Sequence, residues 1–260
     1  MRLALSNIGF AAQDDEKVYA LLREYGFAGL EAAPTRLVGE KPYAPENLAR
    51  AKEKAALLRE RFGLCIPSLQ SIWYGQTGNL FCEADAPRLA AYTDAAAAFA
   101  AAVGCPSMVF GCPRQRNIPE GGRSEDARGF FETVAAAARR RGTAVALEAN
   151  AAVYGTNFCN TSAEAFAFAK TVPGLAVNYD LGTALTNGED FAALRENLAL
   201  VSHVHISEPG LAPIERRGQH RELAALLRDG GYARFVSIEM KTADFDTVRR
   251  CVDYVAEVFR

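Results

Sequence analysis

Short apolar runs alternate with longer amphipathic stretches along the whole of this 260-residue chain. The runs at 2–7, 29–33, 65–70, 107–111, 144–149, 175–180, 201–207 and 235–240 have the length and composition of strands covered on both faces. Between them, 14–25, 45–61, 85–103, 124–141, 161–171, 190–198, 219–229 and 243–259 read as helices. In the last of these, Phe245, Val248, Val252, Val255 and Phe259 keep one face apolar at spacings of three or four. Thr161-Ser-Ala-Glu164 has the form of a capping box, and Arg139, Arg140 and Arg141 before Gly142 suit a helix C-terminus. Eight strands alternating with eight helices predict an α/β fold, a closed (β/α)8 TIM barrel, as a single domain over 1–260. An open doubly wound sheet shares the alternation but would carry a Gly-rich phosphate loop after its first strand. Here that turn reads Asn7-Ile-Gly-Phe-Ala-Ala, and no Walker pattern occurs anywhere.

Composition narrows the function. Half the residues are hydrophobic and 23% charged, with a formal net charge of −2, which disfavours an electrostatic grip on nucleic acid. No apolar stretch approaches the roughly 20 residues of a membrane span, so no membrane partner is expected. The opening Met1-Arg-Leu-Ala-Leu-Ser-Asn7 turns polar too soon for a signal peptide, which makes the cytoplasm the expected location. The six cysteines form no C-x-x-C pair and read as reduced residues, several of them filling the core.

Candidate chemistry sits at the strand ends, where barrel enzymes place it. In order these ends carry Asn7, Glu31, Gln70, the Phe110-Gly-Cys-Pro-Arg114 turn, Glu148, Asp180, His205 and Glu239. Any one Asp or Glu at such a position is commonly a helix cap or an ion-pair partner, and Asp180 could cap the next helix. Four metal-ligand side chains at the same end of four successive strands converge on one point, and three carboxylates crowded there need a cation. The set Glu148, Asp180, His205 and Glu239, three oxygen donors and one imidazole, suits one divalent metal ion: Mn²⁺, Mg²⁺ or Co²⁺ before Zn²⁺.

The segments Leu147-Glu148, Asp180, His203-Val-His205-Ile-Ser and Ser237-Ile-Glu239 resemble those of the xylose isomerase-like barrels, a superfamily of sugar and sugar-phosphate isomerases and epimerases that also includes the endonuclease IV type of repair enzyme. The resemblance covers essentially the whole chain. In the ketose 3-epimerase and hydroxypyruvate isomerase branches, it implies that the matching Glu, Asp, His and Glu hold one divalent ion. Glu148 and Glu239 would double as catalytic acid/base groups, with His205 rather than His203 as ligand. His203 would then lie one layer deeper. Those epimerases carry a His three residues after the Asp, where Thr183 stands here. The nuclease branch draws on several histidines from different strands, whereas this chain has three in all: His203, His205 and His220. Family resemblance also implies a homodimer or tetramer.

The reaction expected is proton transfer next to a carbonyl, through an enediolate, in a small-molecule sugar or sugar phosphate. An inosose-type dehydratase using the same enolisation, or a non-catalytic sugar-binding barrel, are the alternatives. Further substrate-binding candidates are Gln70, Trp73, Arg114, Asn157, Thr183, His203, His220 and Lys241. Trp73 and Tyr74 could stack on a sugar face or pack internally. Arg114 and Arg116 could hold a phosphate or carboxylate or belong to a solvated loop. Asn157 and Lys241 could touch substrate hydroxyls, His220 could reach the barrel mouth, and Glu208 stands undecided between substrate and structure.

Overall fold

In the computed structural model, which describes residues 1–260, seven parallel strands curl into the wall of a barrel. They are β1 (Arg2–Ser6), β2 (Gly29–Glu31), β3 (Ser107–Phe110), β4 (Ala144–Glu148), β5 (Ala176–Asp180), β6 (Val201–Ser207) and β7 (Phe235–Glu239). Their order is β2-β1-β7-β6-β5-β4-β3. The parallel α/β barrel expected from the sequence is therefore the fold, with one departure: the run at 65–70 forms no regular strand.

That run still closes the wall. Isolated bridges join Gly29 to Cys65, Ala32 to Leu69 and Leu69 to Met108, so it spans the gap between β2 and β3. Pro67 lies in its middle and has no amide proton to give to a ladder. The neighbouring chain accommodates the ring: a Cβ on Gly29 would fall 2.9 Å from Pro67 Cγ and 2.8 Å from Phe235 Cε1. Glycine is required at 29 by this close approach.

Ten helices surround the wall: α1 (Asp15–Glu24), α2 (Pro34–Val38), α3 (Pro45–Phe62), α4 (Ala86–Val103), α5 (Arg128–Arg140), α6 (Ser162–Thr171), α7 (Leu181–Asn187), α8 (Ala192–Asn197), α9 (Gly218–Asp229) and α10 (Phe245–Phe259). The capping box at α6 is formed as expected, with Glu164 N donating to Thr161 Oγ1. The sequence predicts one helix over 190–198 after the Asp180 strand; the chain makes α7 immediately and then α8. Asp180 starts α7, its Oδ1 accepting from Thr183 N at 2.6 Å. Gly182 lets that turn pack onto β6, since a Cβ there would lie 2.8 Å from Ser207 Oγ. Tertiary packing here overrides weak local propensity.

The register sets the heights of the inward side chains. Asn178 pairs with His203, Asp180 with His205, and Ser207 with Glu239. By strand alternation, residues two apart face the same way. His203, His205 and Ser207 thus form a column inside the barrel, and the polar end of each strand opens on the same mouth. No helix is long and apolar enough to cross a membrane.

Candidate active site

The column centres on His205, which is fully buried. Its Nδ1 lies 3.1 Å from Glu148 Oε2, 3.1 Å from Glu239 Oε2 and 3.8 Å from Asp180 Oδ2. Ligand atoms of Glu148, Asp180 and His205 all fall within 4.8 Å of one another. The strand ends therefore bring together all four side chains of the expected metal set.

Glu148, Asp180 and His205 are held from behind, whereas Glu239 is contacted by His205 alone. Asn150 Nδ2 donates to Glu148 Oε1 at 2.9 Å, and Asn178 Nδ2 to Glu148 Oε2 at 2.6 Å. Ser207 Oγ donates to Asp180 Oδ2 at 2.6 Å. The buried Arg116 reaches the end of β4 instead of the cavity, its guanidinium donating to the main-chain oxygen of Glu148 at 2.8 Å. On the far side of His205, Glu31 Oε1 sits 2.9 Å from Nε2. An ionised carboxylate can only accept there, so Nε2 keeps its proton when the ring is neutral, which leaves Nδ1 as the nitrogen able to offer a lone pair to a cation among the three carboxylates.

Burial and crowding set the protonation. Burial lifts the Glu239 carboxyl to about 7, only partly opposed by His205. Asp180 is also raised, by burial and then by the charge of Glu148. Burial acts upward on Glu148 and Glu31 too, but hydrogen bonds and attraction from His205 hold both below the usual carboxylate range. For His205, burial disfavours the cation, yet Glu239 and Glu31 raise it well above an ordinary imidazole. The deeper His203 goes the other way, pushed by burial to about 4. In the protein alone, an imidazolium takes the place a metal cation would fill.

Above this cluster opens a cavity of about 350 Å³, lined by Glu148, Asp180 and Glu239 together with Gln70, Arg114 and Thr183 from the sequence candidates. The others lie elsewhere. Trp73 is a core residue, 2% exposed, donating through Nε1 to Thr93 Oγ1 and set edge-on against Phe110. His220 lies on the buried face of α9 beside Tyr254 of α10, with Nδ1 and the tyrosine oxygen 3.1 Å apart. Asn157 pins a loop, its amide bonded to both main-chain atoms of Ile118. Lys241 is exposed outside the lining. His203 bonds to Ser237 Oγ at 2.8 Å and faces a cavity at the opposite end of the barrel.

Sequence reading missed Ser71, Asn150, Tyr154 and Leu211 among the lining residues, and in the 110–114 turn it gave a role to Arg114 but not to Gly111 or Cys112. Ser71, Cys112 and Leu211 share a signal visible only in three dimensions, namely a left-handed backbone (φ 54°, 46° and 58°) without glycine. Such conformations concentrate where loops are shaped for function. Glu208 also lines the cavity, its Oε2 taking a 2.6 Å bond from Arg217 Nε.

The family model for xylose isomerase-like TIM barrels matches residues 19–256, and the chain belongs to that family. Among solved structures, D-psicose 3-epimerase from Clostridium cellulolyticum H10, with D-tagatose, superposes with a TM-score of 0.82 at 17% identity, covering 100% of both chains. The 3-keto-D-glucoside 4-epimerase of E. coli, in its apo form, gives 0.77 at 20% identity over 99% of this chain and 98% of that one. A probable 3-DHS dehydratase from Bacillus anthracis gives 0.72 at 16% identity, over 99% and 98%. At these identities the likeness carries the fold. No curated protein matches the chain in sequence.

Proposed function

We propose that this chain is a divalent-metal-dependent isomerase or epimerase of a sugar or sugar phosphate, moving a proton next to a carbonyl. The observation that carries the reading is the approach of Glu148 and Glu239, from strands three places apart in the wall, to the same imidazole nitrogen at 3.1 Å each. The donor set fits a hard divalent cation: buried Glu148, Asp180 and His205 converge, and the partly buried Glu239 joins them at the same imidazole nitrogen, which gives three carboxylates and one imidazole. Glu148, Asp180, His205 and Glu239 would hold it. When bound, the ion supplies Lewis-acid polarisation of the substrate carbonyl. The names of the two epimerases above favour this class, and that of the dehydratase keeps hydroxyl elimination as the competing outcome.

The residues divide the remaining work. One of Glu148 and Glu239 takes the proton from the carbon beside the carbonyl. The other, approaching from a different strand, can return a proton to the opposite face, which inverts that centre. Asn150 and Asn178 orient the Glu148 carboxylate, and Ser207 with the α7 amide orients Asp180. Glu239→Gln, with metal content unchanged, is expected to abolish solvent-deuterium incorporation into the sugar carbon. Exchange at the wild-type rate would reject the proton-transfer role, and NMR of the product separates isomer from dehydrated ketone.

A further inference from the structure

We infer that the substrate is an uncharged, hydroxyl-rich sugar rather than a phosphate ester, and that Asn150 Oδ1 accepts one of its hydroxyls. The inference rests on the reading above only in taking the 350 Å³ cavity as the substrate site.

The lining is rich in acceptors and negative charge and poor in free donors. Four carboxylates face the cavity, those of Glu148, Asp180, Glu208 and Glu239, and Arg114 is the one cation among the lining residues. Most side-chain donors there are already engaged within the protein. Gln70 Nε2 donates to Ser6 Oγ, Ser71 Oγ to Gln70 Oε1, and Thr183 Oγ1 to the Ala149 carbonyl. Asn150 Nδ2 serves both Glu148 Oε1 and the Ala149 carbonyl, at 2.9 Å each. Those two acceptors fix which way the Asn150 amide points. Its Oδ1 is left buried and without a partner, in a residue more than nine-tenths buried. A buried orphan acceptor of this kind calls for a donor.

Space for that donor exists beside it. A Cβ on Gly111 would fall 2.9 Å from Glu148 Oε1 and 3.6 Å from Asn150 Oδ1, so the absent side chain leaves open the spot both oxygens face. A sugar hydroxyl brings a proton to such a spot. A phosphate brings only acceptors and negative charge, and needs several convergent donors. What the cavity keeps for it is the exposed Arg114 and the hydroxyl proton of Tyr154, whose oxygen already accepts from Gly210 N.

The test titrates the Mn²⁺-saturated full chain with glucitol and with glucitol 6-phosphate by calorimetry. In parallel, solvent-deuterium incorporation is followed for D-fructose and D-tagatose and for their 6-phosphates. Glucitol is expected to bind about tenfold or more tightly than its phosphate, and the free ketoses to exchange faster than the esters. In Mn²⁺-saturated Asn150→Ala, glucitol should bind about tenfold more weakly; unchanged binding would remove the role of Asn150. Equal or tighter binding of the phosphate, or binding of neither, overturns the substrate class. Absence of exchange on every sugar, with the glucitol preference intact, overturns the proton-transfer reading and leaves this inference standing.

Discussion

Glu31→Gln isolates how the protein fixes the metal-facing nitrogen of His205. In the native protein a buried, ionised carboxylate accepts from His205 Nε2 at 2.9 Å. The replacement keeps the shape but removes the charge, and a neutral acceptor makes a hydrogen bond about half as strong as a charged one. It also allows the amide to turn its NH₂ toward Nε2, which would favour the wrong tautomer, with the proton on Nδ1. Outer partners of metal-binding histidines are worth about 10- to 100-fold in affinity, on the order of 1.4 to 2.7 kcal/mol. Mn²⁺ affinity measured by calorimetry should therefore fall by about that factor. Nitrogen-15 NMR of the histidine rings, with the metal removed, should show the His205 imidazolium losing its proton at a lower pH than in the native protein, because the Glu31 charge that helps hold it is gone. A thermal melt identifies a variant that has simply unfolded. If folded Glu31→Gln binds Mn²⁺ within about twofold of the native protein, Glu31 does not set the ligand nitrogen.

Other perturbations follow from the same geometry. Metal affinity should rise with pH through 7 and beyond, because Glu239, raised to about 7, and His205, raised well above an ordinary imidazole, must both release protons to bind. Each proton released contributes about a tenfold gain per pH unit, and calorimetry at pH 6, 7 and 8 counts them; pH-independent affinity would contradict the crowding described. Gly182→Ala drives a methyl into Ser207 Oγ, so it should cost about 1–3 kcal/mol in denaturant unfolding and weaken metal binding through Asp180. Trp73→Ala should cost about 3–5 kcal/mol of stability, the cost of a core cavity, and an unaltered unfolding midpoint would contradict its burial. His220, held neutral by burial with its pKa down at about 4, accepts protons more readily in the unfolded chain. The folded state thus loses stability as pH falls from 6.5 toward 4, by up to about 3 kcal/mol, and His220→Gln should flatten that slope in urea titrations.

The barrel was legible because its strands are apolar on both faces, and the four clustered side chains were legible because each breaks such a run at its end. Glu31 stood at a strand end as well, but its pairing with His205 crosses 174 positions of sequence and appears only when the wall closes. Trp73 misled because an aromatic after a strand looks the same whether it faces a sugar or, as here, Thr93 and Phe110. Asn150 and Tyr154 were hidden in a loop whose fold-back over the mouth has no periodic signature. The short helix α7 was missed because its start depends on a cap from Asp180 and on close packing at Gly182, neither of which is a local propensity.

The proline-broken run between β2 and β3 gives the cylinder a seam. Elsewhere a continuous ladder must tear for the wall to part; here single bridges at Cys65 and Leu69 hold the edges together. Amides along this seam should trade their protons for deuterium sooner than those of β5 and β6. Gln70 stands at its top, so any breathing of the seam reaches the rim of the cavity before it disturbs the cluster around His205.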